Sequence, residues 1–239
     1  MSPFETAALL LSLQVALATL LVATPLALTL AILMARTQWR GKVLVDALIL
    51  LPIGLPPAVI GFALLAGLGR DGALGQWLHD ATGFSLTFFP AGAVLAASCM
   101  TVPLMVRVLR PAFEATDPML LPVARSLGAS RMRAFFTITL PLAWPAVASA
   151  MALGLAAAWG ESGATLVLAA TLQPHQTADI TAPVAMVQSL LSGSKGETSA
   201  WRLAAVSLGV ALAAVLASEW GRLHWRRHWH ARLKPVGAP

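Results

Sequence analysis

Few residues in this chain offer chemistry. Gly160-Glu161-Ser162-Gly163 has the Gly-x-Ser-Gly spacing with which a serine can be presented as a nucleophile inside a membrane. Such a serine needs a histidine base within hydrogen-bond reach, and the five histidines, His79, His175, His224, His228 and His230, all fall in loops or in the C-terminal tail. No catalytic residue is therefore assigned. His224 and His228 stand at i, i+4, which puts two imidazoles on one helix face where they can share a metal ion. No carboxylate or thiolate follows them, and Arg222, Trp225, Arg226, Arg227, Trp229 and Arg232 are interleaved with them. The stretch reads as a basic interfacial tail drawn to anionic lipid, with neither metal nor nucleic acid as its ligand. Glu161 is a carboxylate at the edge of an apolar run, a place where ionisable groups are often functional. It reads either as a structural acceptor of hydrogen bonds or as part of a gate. A Gly-x-x-x-x-Gly-Lys-Ser/Thr phosphate loop is absent: Lys42 follows Gly41 but precedes Val43, and Lys195 sits between Ser194 and Gly196. Any energy from ATP must come through another chain.

The elements that would position these residues are membrane helices. Of 239 residues, 58% are hydrophobic and 11% charged, with a mean hydropathy of +0.77, against roughly 25% charged residues in ordinary soluble domains. A soluble globular protein is excluded, and no room remains for a separate catalytic domain. The stretches free of charge are 6–35, 47–69, 81–106, 134–160 and 203–218, and a bilayer crossing takes about 20 apolar residues. Five spans follow, the last of them short and flanked by Trp201 and Trp220. The shorter apolar pieces 164–172 and 182–191 cannot cross alone, so 162–200 is expected to be re-entrant or to form short helices at the outer mouth. Every lysine and arginine except Arg70, Lys195 and Arg202 falls on one side of this five-span arrangement. The positive-inside rule then places the N-terminus outside and the C-terminus in the cytoplasm. With Glu5 and no Lys or Arg ahead of it, the first apolar run reads as a retained span instead of a signal peptide. Pro25, Pro52, Pro56, Pro57 and Pro103 are potential breaks that a bundle tolerates. Cys99 is the single cysteine and carries no information about redox compartment.

The one long cytoplasmic loop, about 107–135, reads as folded. Asp117-Pro118 can start a short helix, and Pro122 offers a second start. Gly128 ends it, and Ser130 can cap a helix that runs into the fourth span. The result is a helix, a tight Gly-Ala-Ser turn and a second helix, exposed to the cytoplasm and joined directly to a membrane helix.

At these residues a family resemblance becomes specific. Val123-Ala124-Arg125-Ser126-Leu127-Gly128, followed after nine residues by Ile138-Thr139-Leu140-Pro141, resembles the loop of the permease subunits of binding-protein-dependent ABC importers. Ala124, Gly128, Ile138, Leu140 and Pro141 fit that pattern, while Pro122 and Val123 replace its Glu and first Ala. The resemblance extends over Leu51 to Gly61, Gly69 to Gly75, Pro103 to Arg107 and Gly160 to Leu166, and narrows to molybdate importer permeases, with sulfate/thiosulfate permeases as close relatives. Ser162 departs from the aromatic residue common in that family.

What the resemblance implies is an all-α polytopic membrane protein with the type I ABC importer permease fold. It would form a single transmembrane domain over 1–239, with the coupling loop at about 107–135, the outer segment at about 162–200 and a basic tail at 222–239. Such a subunit would sit in the bacterial inner membrane as a homodimer holding two copies of a cytoplasmic ATPase. A periplasmic oxyanion-binding protein would deliver molybdate, the alternatives being sulfate/thiosulfate or tungstate. The chain would itself be no enzyme and need no cofactor. Ala124, Arg125, Gly128, Ala129 and Ser130 would meet the ATPase, and Pro56, Pro57, Gly160, Glu161, Ser162, Gly163 and Thr165 would line the path or gate. A self-contained secondary transporter would call for mid-membrane coupling carboxylates and an internal repeat, and the sequence has neither.

Overall fold

The computed structural model describes residues 1–69, 72–82, 90–117, 119–169 and 180–232, with side chains left out at 194, 195 and beyond Gly221. Among the described residues there are eleven α-helices and no strand: α1 (Pro3–Arg36), α2 (Lys42–Gly54), α3 (Pro57–Leu68), α4 (Ala73–Thr82), α5 (Ala91–Glu114), α6 (Leu120–Ser126), α7 (Arg131–Ala134), α8 (Leu140–Gly160), α9 (Gly163–Ala169), α10 (Ala182–Leu191) and α11 (Ser194–Arg232). Four helical stretches are long and apolar enough to cross a bilayer: Pro3–Arg36, Ala91–Glu114, Arg131–Leu168 and Gly196–Gly221. The pair α2 and α3 makes a fifth when counted as one bent span.

The body of the bundle is a seam of small residues. α1 buries Ala8, Ser12, Ala16, Ala23, Ala27 and Ala31, a spacing of four and seven that keeps them on one helical face. This face lies on α5, the most extensive helix pair in the fold, which presents Ala93, Ala96 and Ala97 and then Met105, Leu109 and Phe113. Small side chains let helix backbones approach closely where no hydrophobic effect drives them together. Ala16 clusters with Ala97, and Ala31 belongs with Phe113 to a second cluster, so α1 and α5 run in the same direction. α8 runs the opposite way, bringing Ala158 to the first cluster and Ala143 to the second. The last helix, α11, covers α8, where the Ser149 hydroxyl donates to the Ser218 carbonyl at 3.1 Å.

Three details differ from the reading of the apolar runs. The last span is not short: α11 extends over 39 residues because Arg202 and Glu219 lie within the helix instead of ending it. The fourth span starts at Arg131 and passes through a widened turn at Phe135–Thr139, where the Leu140 N–H donates to the Phe135 carbonyl five residues back. Pro141 is the cause on physical grounds, since its ring collides with the carbonyl four residues earlier and a wider turn relieves the clash. The second span is bent by 108° between Gly54 and Pro57. Pro25, Pro52 and Pro103 sit inside unbroken helices, and of the five prolines expected as potential breaks, Pro56 and Pro57 are the two that make one.

Candidate functional site

Two helix breaks meet at one cavity. Pro56 and Pro57 supply no N–H, so the carbonyls of Pro52 and Ile53 lose the donors that would have continued α2. A residue preceding proline is also pushed to extended backbone, and Leu55 and Pro56 adopt ψ of 146° and 131°. Pro57 then occupies the first position of α3, where a missing N–H costs nothing. The second break is Glu161-Ser162, between α8 and α9. Glu161 is extended, with ψ of 119°.

The two breaks are brought together by direct backbone contact. A Cβ on Gly61 would lie 2.6 Å from the Ala164 carbonyl oxygen, and one on Gly163 would lie 2.5 Å from the Pro57 Cβ. α9 therefore lies along α3 in the same direction, closed by Leu64 and Leu65 against Leu168. Beside this junction is a cavity of about 330 Å³. Pro57, Gly160, Glu161, Ser162 and Gly163 form one wall; Ile53, Ala157 and, from the middle of α5, Met100 and Leu104 form the rest. Among the described residues, no cationic side chain lines it. Pro56 stands next to Pro57 in the break, and Thr165 lies in the first turn of α9 with its side chain buried.

Glu161 is 8% exposed, and its carboxylate is spent on the helix that follows. One oxygen accepts the Ala164 N–H at 2.9 Å; the other accepts the Thr165 N–H at 3.3 Å and the Thr165 hydroxyl at 3.2 Å. Burying a carboxylate is costly unless it is hydrogen-bonded, and the first N–H groups of a helix need acceptors. Each need meets the other. The free N–H groups at the start of α9, which could have drawn an anion, are thereby occupied by the chain's own carboxylate.

The second set of residues lies at the end of the bundle that holds Arg36 and Glu114. α6 begins at Leu120, so Pro122 is its third residue and not its first. Asp117 accepts the Met119 N–H at 2.8 Å and sets the start. The helix closes with Gly128 at φ +86°, its N–H donating to the Arg125 carbonyl while the Ala129 N–H donates to that of Ala124. This paired closure needs a left-handed residue, which glycine supplies without a steric penalty. Ser130 then accepts the Arg133 N–H at 3.2 Å and starts α7. Ala124 is buried against this elbow, whereas Leu127 is 82% and Met132 66% exposed.

The sequence reading singled out both halves of the cavity wall but not its back, Met100 and Leu104, which carry no chemical signal beyond being apolar. It also missed the ion pair of Asp46 with Arg110, whose one clue is a lone carboxylate at the edge of an apolar run. His175 falls outside the described residues, as do the side chains of His224, His228 and His230.

Comparison with known proteins adds the following. Residues 27–222 match the family described as binding-protein-dependent transport system inner membrane component. The molybdenum transport system permease protein ModB of Escherichia coli (strain K12) is 42% identical over 216 residues, covering 90% of this chain and 93% of that protein. Its namesake in Haemophilus influenzae is 40% identical with the same coverage of each chain. The probable molybdenum ABC transporter permease protein of Haloferax volcanii is 38% identical over 82% of this chain and 68% of its own length. Among solved structures, a bacterial ABC transporter involved in the import of the acidic polysaccharide alginate superposes with a TM-score of 0.69 at 19% identity, over 95% of this chain and 80% of the other. At that identity the likeness concerns the fold.

Proposed function

Because this chain belongs to the family of binding-protein-dependent transport system inner membrane components, we propose that it is the permease subunit of an ABC importer and that its cargo is molybdate. The observation that carries the cargo is its near-full-length likeness to relatives named as molybdenum transport permeases. A tetrahedral dianion fits the geometry in a particular way. Among the described residues no cation lines the cavity at the two breaks, and the start of α9 is filled by Glu161. Such a path holds an anion weakly and lets it go, so selection rests with the periplasmic binding protein that delivers it.

The elbow of α6 and α7 is the surface we assign to the ATPase. Its exposed apolar side chains, Val123, Leu127 and Met132, stand beside Arg125 and Arg131 on a rigid knob continuous with a spanning helix. Two ATPase copies and a second copy of this chain complete the importer. In support of the second copy, no residue of α2 is fully buried within one chain. Basic residues gather at the elbow end of the sequence segments, so that end faces the bacterial cytoplasm, with the N-terminus outside. ATP hydrolysis belongs to the partner.

The test is uptake by vesicles carrying this permease, its ATPase and its binding protein. Molybdate should enter only with both partners and ATP present. Comparable uptake without the binding protein would overturn the importer reading, and uptake of sulfate but not molybdate would overturn the cargo.

A further inference from the structure

The two halves of the bent span are held in different ways. α3 is fixed by backbone contact with α9, whereas α2 buries no residue fully and has α5 as its one substantial neighbour among the described residues. Ile49 rests against the core there, and the other tie is ionic. Arg110 of α5 donates from Nη1 to Asp46 of α2 at 2.6 Å and from Nε to Glu114, one turn further along α5, also at 2.6 Å. One rigid guanidinium plane thus grips a carboxylate on each of two helices, an arrangement that an ammonium group cannot reproduce.

Glu114 is the last residue of α5, and described residues between it and the elbow are tied by hydrogen bonds to their neighbours. The Ala115 N–H donates to the Pro111 carbonyl at 2.9 Å, the Thr116 hydroxyl to that of Ala112 at 3.0 Å, and the Leu120 N–H to that of Asp117 at 3.2 Å. At the other end of α2, Ile53 lines the cavity just before the bend. Elbow, Glu114, Arg110, Asp46 and Ile53 therefore form one mechanical series that ends at the candidate path.

We propose that Arg110 is a positioning residue that passes movement of the elbow to α2, swinging it about the bend at Leu55-Pro56 and so opening or closing the cavity. This rests on the permease reading above. In vesicles with the ATPase and binding protein, Arg110→Gln and Asp46→Asn should keep binding-protein-stimulated hydrolysis while molybdate uptake per ATP falls about tenfold, a scale typical of coupling between sites. The exchange Asp46→Arg with Arg110→Asp should restore the ratio, and failure to restore it would overturn the direct pairing. An unchanged ratio in Arg110→Gln, or uptake and hydrolysis falling in step, would overturn the link. If Arg110→Gln fails to assemble, Arg110→Lys serves: it should show a reduced ratio, and full coupling would refute the proposal. A readout independent of cargo is the distance between spin labels at Val43 and Met119, both exposed and neither assigned to the ATPase surface. It should change with nucleotide in the wild-type complex and stay fixed in Arg110→Gln; a change that persists in the variant overturns the link whichever anion is carried.

Discussion

The carboxylate of Glu161 holds both the backbone N–H and the hydroxyl of Thr165, at 3.3 and 3.2 Å, and so closes the start of α9 from within the chain. Glu161→Ala should free these donors and destabilise the assembly by about 0.5–2 kcal/mol, the usual value of a helix N-terminal cap. Glu161→Gln keeps one acceptor and should lose less. Thermal unfolding in detergent ranks the two; equal loss in both would show that the cap is not what Glu161 contributes.

Gly61 should resist substitution. Its Cβ would stand 2.6 Å from one backbone atom of Ala164 and 2.8 Å from another, so α3 and α9 must separate to admit it. A cost of about 1–3 kcal/mol is expected from such overpacking, together with loss of uptake. Gly67, in the same helix, has nothing within 4 Å of its would-be Cβ. Gly67→Ala should be neutral or slightly stabilising, and a similar loss at both positions would refute the close-contact argument.

At the elbow, Gly128→Val forces a β-branched residue into φ +86°, costing roughly 1–2 kcal/mol locally. The spans should still fold. Co-purification of the ATPase should fall, along with hydrolysis that responds to the binding protein. Normal binding and normal coupled hydrolysis would show that this turn is not the docking surface.

Orientation can be read with reporter fusions. Those after Lys42, Arg133 and Lys234 should report cytoplasm and one at Lys195 the outside, as the placement of basic residues requires. A cytoplasmic signal at Lys195 contradicts five spans.

The spans were legible because uncharged apolar runs persist long enough to cross a bilayer. Their ends were less so, since long side chains such as Arg202 ride within a helix and reach polar surroundings from there. The paired prolines declared a break, whereas Pro25 and Pro103 did not make one: a single missing N–H is absorbed, and two in succession also force the preceding residue to extend. That Pro57 would meet Gly163, or Asp46 Arg110, lies in the packing of helices distant in sequence. No local pattern states it. The elbow was legible to within a few residues, because Gly128 and Ser130 act on their immediate neighbours.

The first helix is finished by the last ones. Ser12 accepts the Ala182 N–H at 2.7 Å, and Glu5, 2% exposed, accepts the Ser199 hydroxyl at 2.7 Å. Chains leave the ribosome N-terminus first, so during synthesis α1 waits for most of the protein before its carboxylate and this hydroxyl find their tertiary partners. A nascent or prematurely terminated chain lacking residues beyond 180 carries that unmet polarity at the head of its first helix. Such a chain keeps the Ser2 N–H on Glu5 at 2.8 Å and lacks both long-range bonds, so the polar contacts of α1 are completed only by the arrival of α10 and α11.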